Sequence, residues 1–510
     1  MRFVKRYFAA GLVSVLAAMP VWAEAKPLAV GVEFNLTKLD PTNINDTLTM
    51  TSLRTVYQGL LGFDKDYKII PLLAERYEAS SDAKEFTFYL RKGVKFHDGT
   101  DFNAEAVKFN LDRLANPENK LSRRVLISML DHVDIVDDYT IKIYLKEPYG
   151  ALPSSLAHPG TMMISPAAIK KYGKDIDRHP VGTGPFKFKS WSGDIFEVTK
   201  NENYWGKVAD VDGVVIRSVP ESGARFAMLQ AGELQFVPDF PSELVEVAKK
   251  IPTLDVTTAP SIYEFYTSMN VMKKPFDDIR VRKALNYAVN KEAFCKVVLN
   301  GYCEPATSSI PPLLRFYTNV GQYEYNPEKA KQLLAEAGYA NGFETEVFSR
   351  NSTAVIRAMQ FLQQELAKVN VKVTVTPLEA GVEADRVWGA ETPEKSDVQL
   401  LYSGWSASTG DADYGLRPLF ASESFPPNLY NTSYYKNEKV DQALAEGVKT
   451  ADDTKRAEAY KIVQQTVFED APWIFLGEKQ NISVKTKKLS GVYMLPDGSF
   501  SVDGAKFTGE

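Results

Sequence analysis

Cysteine is nearly absent from this chain of 510 residues, which carries only Cys295 and Cys303, and histidine is almost as scarce at four. Two cysteines are too few for a zinc cage. His97, His132, His158 and His179 stand singly, with no second histidine or cysteine at a ligand spacing, so local sequence builds no transition-metal site. No His-Glu-x-x-His occurs, and Gly404-Trp405-Ser406-Ala407-Ser408 has serine where a nucleophile elbow needs its second glycine. The acids Asp411 and Asp413 lie in a loop, where such pairs are usually solvated or cap a helix. That loop also lacks the glutamate that would close a calcium site. No catalyst and no cofactor is expected. Long apolar runs are missing as well: past the N-terminal residues none reaches the ~20 needed to cross a bilayer. The net charge of -5 argues against nucleic acid or anionic lipid as a partner.

What is present starts at the N terminus. Arg2, Lys5 and Arg6 precede the apolar run 7–19, then Pro20, then Val21-Trp22-Ala23 with small residues where a signal peptidase reads. Residues 1–23 are expected to be a secretory signal cut after Ala23, with Ala25 as second choice. Its loss leaves a more acidic chain, and no cysteine near the cut can take a lipid. A soluble protein exported to the periplasm of a Gram-negative bacterium follows as the expectation. In that oxidising compartment Cys295 and Cys303, one on a helix and one past its end at Gly301, either close a small loop or stay as two thiols.

The composition, 44% hydrophobic and 25% charged, allows two or three domains with their own cores. The apolar spacing predicts a helix over 48–61, started by Asp46 or Thr47. A helix capped by Asn103 lies between short alternating strands, with a hairpin of 133–136 and 140–145 across Asp137-Asp138, and the stretch to about His179 reads as an α+β insert. Val181-Gly182-Thr183-Gly184-Pro185-Phe186 suggests a tight backbone path, and without a Gly-Lys-Ser/Thr ending or a following helix it is no phosphate loop. Further on, strand 343–348, a helix with Val355, Met359, Leu362 and Leu366 on one face, and strand 371–375 form a strand-helix-strand unit of a buried, mostly parallel sheet. The buried run 398–402 is followed at Gly404 by a loop with one indole, Trp405, and the small polar residues Ser406, Ser408 and Thr409. A donor-rich loop past the end of a buried strand is where an open α/β sheet holds a small ligand, and this one is expected to grip a peptide-like molecule between two lobes.

Several motifs carry a family resemblance: Leu39-Asp40-Pro41, Tyr57-Gln58-Gly59-Leu60, Leu90-Arg91-Lys92-Gly93-Val94-Lys95-Phe96-His97-Asp98-Gly99, Pro180-Val181-Gly182-Thr183-Gly184-Pro185-Phe186, and Pro275-Phe276-Asp277-Asp278 before Val281-Arg282-Lys283-Ala284-Leu285. With them the chain resembles the extracellular solute-binding proteins of peptide and nickel ABC importers, family 5. Asn45-Asp46-Thr47-Leu48, Leu156-Ala157-His158-Pro159 and Gly404 to Gly410 are similar to the glutathione-binding members. The resemblance implies an α/β periplasmic binding protein of two lobes joined by two hinge crossings. Lobe 1 is expected to comprise 24–60, 181–268 and 489–510, with an α+β insert at 61–180, and lobe 2 to comprise 269–488. It implies a monomer that carries a glutathione-like peptide to an inner-membrane ABC permease and its ATPase subunits. Dipeptides, oligopeptides, haem or a nickel complex are the alternative cargoes, and a periplasmic peptidase is the competing class.

Two positions follow from the family residue by residue. Dipeptide binders hold the ligand amine with an aspartate where this chain has Ser408. An ammonium left unpaired there would cost ~3–5 kcal/mol, so a ligand whose first residue is joined through its γ-carboxylate suits the position better. Ser406, Ser408 and Thr409 are then expected to be donors. The family also implies that Arg350 grips a ligand carboxylate. Thr47 is a further ligand candidate, and Asp411 either holds the ligand ammonium or caps a helix.

Overall fold

Two long antiparallel strands, Leu254–Met269 and Trp473–Thr486, form the spine of the fold. The computed structural model describes residues 27–508 apart from 391; the expected signal segment, 1–23, lies outside the described residues. One half of the spine pairs with Phe236–Val237, and the sheet continues through Leu28–Val32, Gly213–Ser218, Ile195–Lys200 and Phe186–Ser192. The other half pairs with Leu400–Ser406, followed by Phe343–Arg350 and Val371–Leu378. Register shifts between Pro260 and Glu264 interrupt the spine where it passes from one half-sheet to the other. A bulge bends and twists a ladder locally, so the spine changes direction there.

The strand-helix-strand unit is present as Phe343–Arg350, the helix Thr353–Ala367 capped by Ser352, and Val371–Leu378 parallel to the first strand. Between the first helix and the glycine motif lies a four-stranded antiparallel sheet, with the hairpin Leu130–Asp137 and Thr140–Leu145 and the Asn103-capped helix Ala104–Ala115.

Two expectations need correction. The first helix runs only over Thr47–Leu53, capped by Asp46, rather than to 61. The carbonyls just past its end turn elsewhere: Thr55 O and Val56 O accept from the backbone N–H groups of Phe186 and Gly184. This contact also explains the paired glycines, since a Cβ on Gly182 would lie 2.1 Å from Val56 O and one on Gly184 within 2.7 Å of the same backbone. Second, the strand expected to break at Gly404 continues through Ser406, because Tyr263–Met269 of the spine pairs with it over its full length.

Cys295, on the helix Lys291–Val298, and Cys303, on a short strand along the spine, are joined in a disulfide with a Cα separation of 5.0 Å.

Candidate functional site

Because Leu400–Ser406 stays paired to the spine, Trp405 is presented from a strand and not from a free loop. Its indole Nε1–H donates to Tyr414 O at 3.0 Å, and its ring lies 5.6 Å from that of Tyr414 and 5.1 Å from that of Tyr430. An indole held by a hydrogen bond and two rings is a rigid floor. The chain then turns: Ser408 N–H donates to Ser406 O, and Ser408 O accepts from the Tyr67 hydroxyl at 2.8 Å.

Above this floor is a cavity of about 230 Å³ walled by three parts of the chain. Thr47, Thr51 and Arg54 come from the first helix and the turn after it, Arg123 and His158 from the stretch 61–180, Trp405, Ser406, Ser408 and Tyr414 from the strand Leu400–Ser406 and the turn and helix after it, and Asp497 and Ser499 from near the C terminus. A second cavity of about 450 Å³ shares Thr47 and Thr51 with it, and the two together reach the size of ordinary small-molecule sites, about 300–1,000 Å³.

Of the residues singled out from sequence, Trp405, Ser406, Ser408 and Thr47 line the cavity. Thr409 is buried behind the turn, with a hydroxyl that has no partner among the described residues. Asp411 is fully buried and caps the helix Ala412–Phe420 by accepting from Asp413 N–H. Both its oxygens are bound by Arg456, at 2.8 and 3.0 Å, so of its two readings the cap is the one the geometry supports. Arg350 does not line the cavity: its side chain is 67% exposed and its Nε donates to Glu383 at 2.9 Å. It lies at the last position of its strand, where the Glu383 carboxylate takes the role expected of a ligand.

Sequence reasoning missed Arg54, Arg123 and Asp497. Arg54 Nη2 lies 3.4 Å from Asp497 Oδ2, while its Nε has no partner among the described residues. Arg123 donates through Nε to Ile44 O; burial pulls its pKa down, opposed by Tyr414, Asp46 and Tyr430. Within the smaller cavity two guanidiniums stand against one carboxylate, a positive surplus that the larger cavity, lined by Glu33, Asp46 and Asp239, does not share. A signal for Arg54 did exist: Thr47, Thr51 and Arg54 stand at i, i+4 and i+7, one face of a helix that already held a candidate. Arg123 and Asp497 have no such local cue.

Behind Trp405, on the next strand, Glu264 is 2% exposed and lies opposite Glu478, with Glu304 one strand beyond. Glu264 and Glu478 each have an oxygen without a partner among the described residues. Burial and then Glu478 push the Glu264 carboxyl well above its ordinary range, and burial and then Glu304 push Glu478 up to about 8. The folded chain therefore binds protons here that the unfolded chain releases near the ordinary 4.5. Stability from this pair is complete below that value and is lost as pH rises through about 8. Glu264→Gln is expected to raise the urea midpoint at pH 8.5 and to leave it nearly unchanged at pH 4.5; a wild-type midpoint that does not fall between those pH values would contradict this.

The model of bacterial extracellular solute-binding proteins, family 5 middle region, matches residues 68–427. Glutathione-binding protein GsiB of Pectobacterium atrosepticum is 46% identical, covering 98% of this chain and 98% of its own. HbpA2 from Haemophilus parasuis is similar in structure with a TM-score of 0.85 at 29% identity, over 95% of this chain and 100% of that one. The ABC transporter-associated periplasmic binding protein DppA from Helicobacter pylori, solved with the peptide STSA, gives a TM-score of 0.76 at 28% identity over 93% and 98%.

Proposed function

Because this chain belongs to the bacterial extracellular solute-binding proteins of family 5, we propose that it is the periplasmic receptor of an ABC importer, one that takes glutathione or a close γ-glutamyl relative between its lobes. It changes no bond in its cargo and passes it, as a monomer, to an inner-membrane permease with its ATPase subunits. The observation that carries the ligand is the charge pattern of the cavity. Glutathione has two carboxylates and one ammonium, and Arg54, Arg123 and Asp497 supply the opposite set around the indole of Trp405. The relative named above as a glutathione-binding protein supports the same choice. Ser408, in the place of a dipeptide binder's aspartate, disfavours a plain α-amine there.

The test is calorimetry of the mature protein with reduced and oxidised glutathione against a dipeptide panel. Glutathione is expected to bind and ordinary dipeptides to bind far more weakly; binding confined to the dipeptides would replace this reading with the peptide one, which the peptide complex of the Helicobacter pylori neighbour favours. Recovery of intact glutathione after long incubation checks that no bond is cut.

Gly150 meets the chain at 447–456 in a close seam, which on this reading is the contact between closed lobes. Gly150 of the insert donates its N–H to Val448 O at 2.7 Å, and its own carbonyl accepts from Arg456 at 3.3 Å. A Cβ at Gly150 would stand 2.0 Å from Thr450 O, which is backbone and cannot swing away. Gly150→Ala is thus expected to wedge the lobes apart, raising the radius of gyration in X-ray scattering with ligand present and weakening affinity about tenfold or more, since only the closed fraction binds tightly. An unchanged closed-state radius would show that the seam has room to yield.

A further inference from the structure

His158 is 3% exposed, yet it lines the cavity beside both arginines. It sits where the helix Leu152–Ala157 ends and the turn Pro159–Thr161 begins, and it caps that turn: Gly160 N–H donates to its Nδ1 at 2.9 Å. An N–H can donate only to a bare nitrogen, so Nδ1 carries no proton and the neutral ring must carry it on Nε2. Among the described residues no hydrogen bond to that second nitrogen is seen, and it is not among the buried polar atoms that lack a partner, which leaves the cavity as its outlet. Gly160 also lets the neighbours close in: a Cβ there would meet Arg123 Cγ at 2.8 Å and the ring's Nδ1 at 3.0 Å.

We propose that His158 is a specificity-determining donor of the cleft, locked as the neutral Nε2–H tautomer to bond the ligand carboxylate received at Arg123. The inference rests on the anionic ligand proposed above. The groups around the ring are Arg54 at the end of the first helix, Arg123 of the turn Ser122–Ile127, Tyr414 across the cavity, and Asp497 beyond Arg54, with Asp46 on the far side of Arg123. Burial, then Arg123, then Arg54 hold the imidazole pKa well below its ordinary 6.5, so the ring of the free protein is neutral. A further proton could enter only at Nδ1, where the Gly160 N–H already donates, so the ring stays neutral when the carboxylate arrives and offers it the single Nε2–H.

Three measurements test this. In the free wild-type protein, nitrogen chemical shifts of the His158 ring are expected to report the Nε2–H tautomer; the Nδ1–H form would overturn the proposal before any ligand is added. Calorimetry at pH 7.5, in buffers of different ionisation enthalpy, with reduced glutathione and with the dipeptide alanyl-glutamate as probes, is expected to show no proton uptake that depends on His158 for whichever probe binds; uptake that is lost in His158→Gln would overturn the neutral donor. His158→Gln keeps an N–H donor and is expected to bind within about threefold of wild type, whereas His158→Phe, lacking the donor, is expected to bind about tenfold more weakly. A Phe variant that binds as wild type would overturn the role of the ring. Failure of glutathione alone to bind bears on the choice of cargo, because the tautomer and the effect of His158→Phe on the dipeptide are read separately.

Discussion

Asp411→Ala is expected to lower the free energy of unfolding by about 3–5 kcal/mol, the loss seen when one partner of a buried ion pair is removed. Asp411 and Arg456 are each 1% exposed, and the guanidinium binds both carboxylate oxygens. Arg456 also donates to Gly447 O and Gly150 O and lies 4.7 Å from the ring of Phe316, so it cannot swing to water when its counter-charge goes. The coulombic pull of Asp411 raises the arginine pKa against the lowering effect of burial. The double variant Asp411→Ala with Arg456→Met removes the orphaned charge and is expected to recover much of the loss. Urea denaturation of the two variants decides the matter. Were Asp411 the holder of a ligand ammonium, the single change would instead weaken binding and leave stability nearly intact.

Arg123→Met is expected to weaken glutathione binding by about 2–5 kcal/mol, roughly thirtyfold to several thousandfold, because the ligand carboxylate is then left buried without its partner. The free protein should lose little, since burial already works against the Arg123 charge and Met fills a similar volume. Arg54→Met in the same assay completes a double-mutant cycle. If the two arginines hold separate carboxylates, their effects add to within about 0.3–0.5 kcal/mol; a strong departure shows that both grip one group. An Arg123→Met protein that binds as wild type would remove the positive surplus as the basis of recognition.

The same contrast separates what could be read from the chain from what could not. The strand-helix-strand unit at 343–378, the Asn103 and Asp46 caps and the insert's hairpin depend on neighbours in sequence, and their apolar periods and cap residues stand there in plain order. So does the stretch that presents Trp405, Ser406 and Ser408, and Thr47 at the start of its helix. The length of the first helix was misread because its end is set by Gly184 and Phe186, more than a hundred residues away.

Sequence by itself determined the strand-helix-strand unit and the stretch that carries the indole, since each is a matter of which side chains recur along a short segment, while the two-lobed class rested on the family resemblance and the long spine was not foreseen. Tertiary structure alone decided which charges do what. Arg54, Arg123, His158 and Asp497 meet from distant parts of the chain, Arg456 claims Asp411, Glu383 claims Arg350, and Glu264 is set against Glu478. The reason is electrostatic: a charged side chain acquires its role from the group opposite it and from its distance to water, and neither exists until the chain has folded.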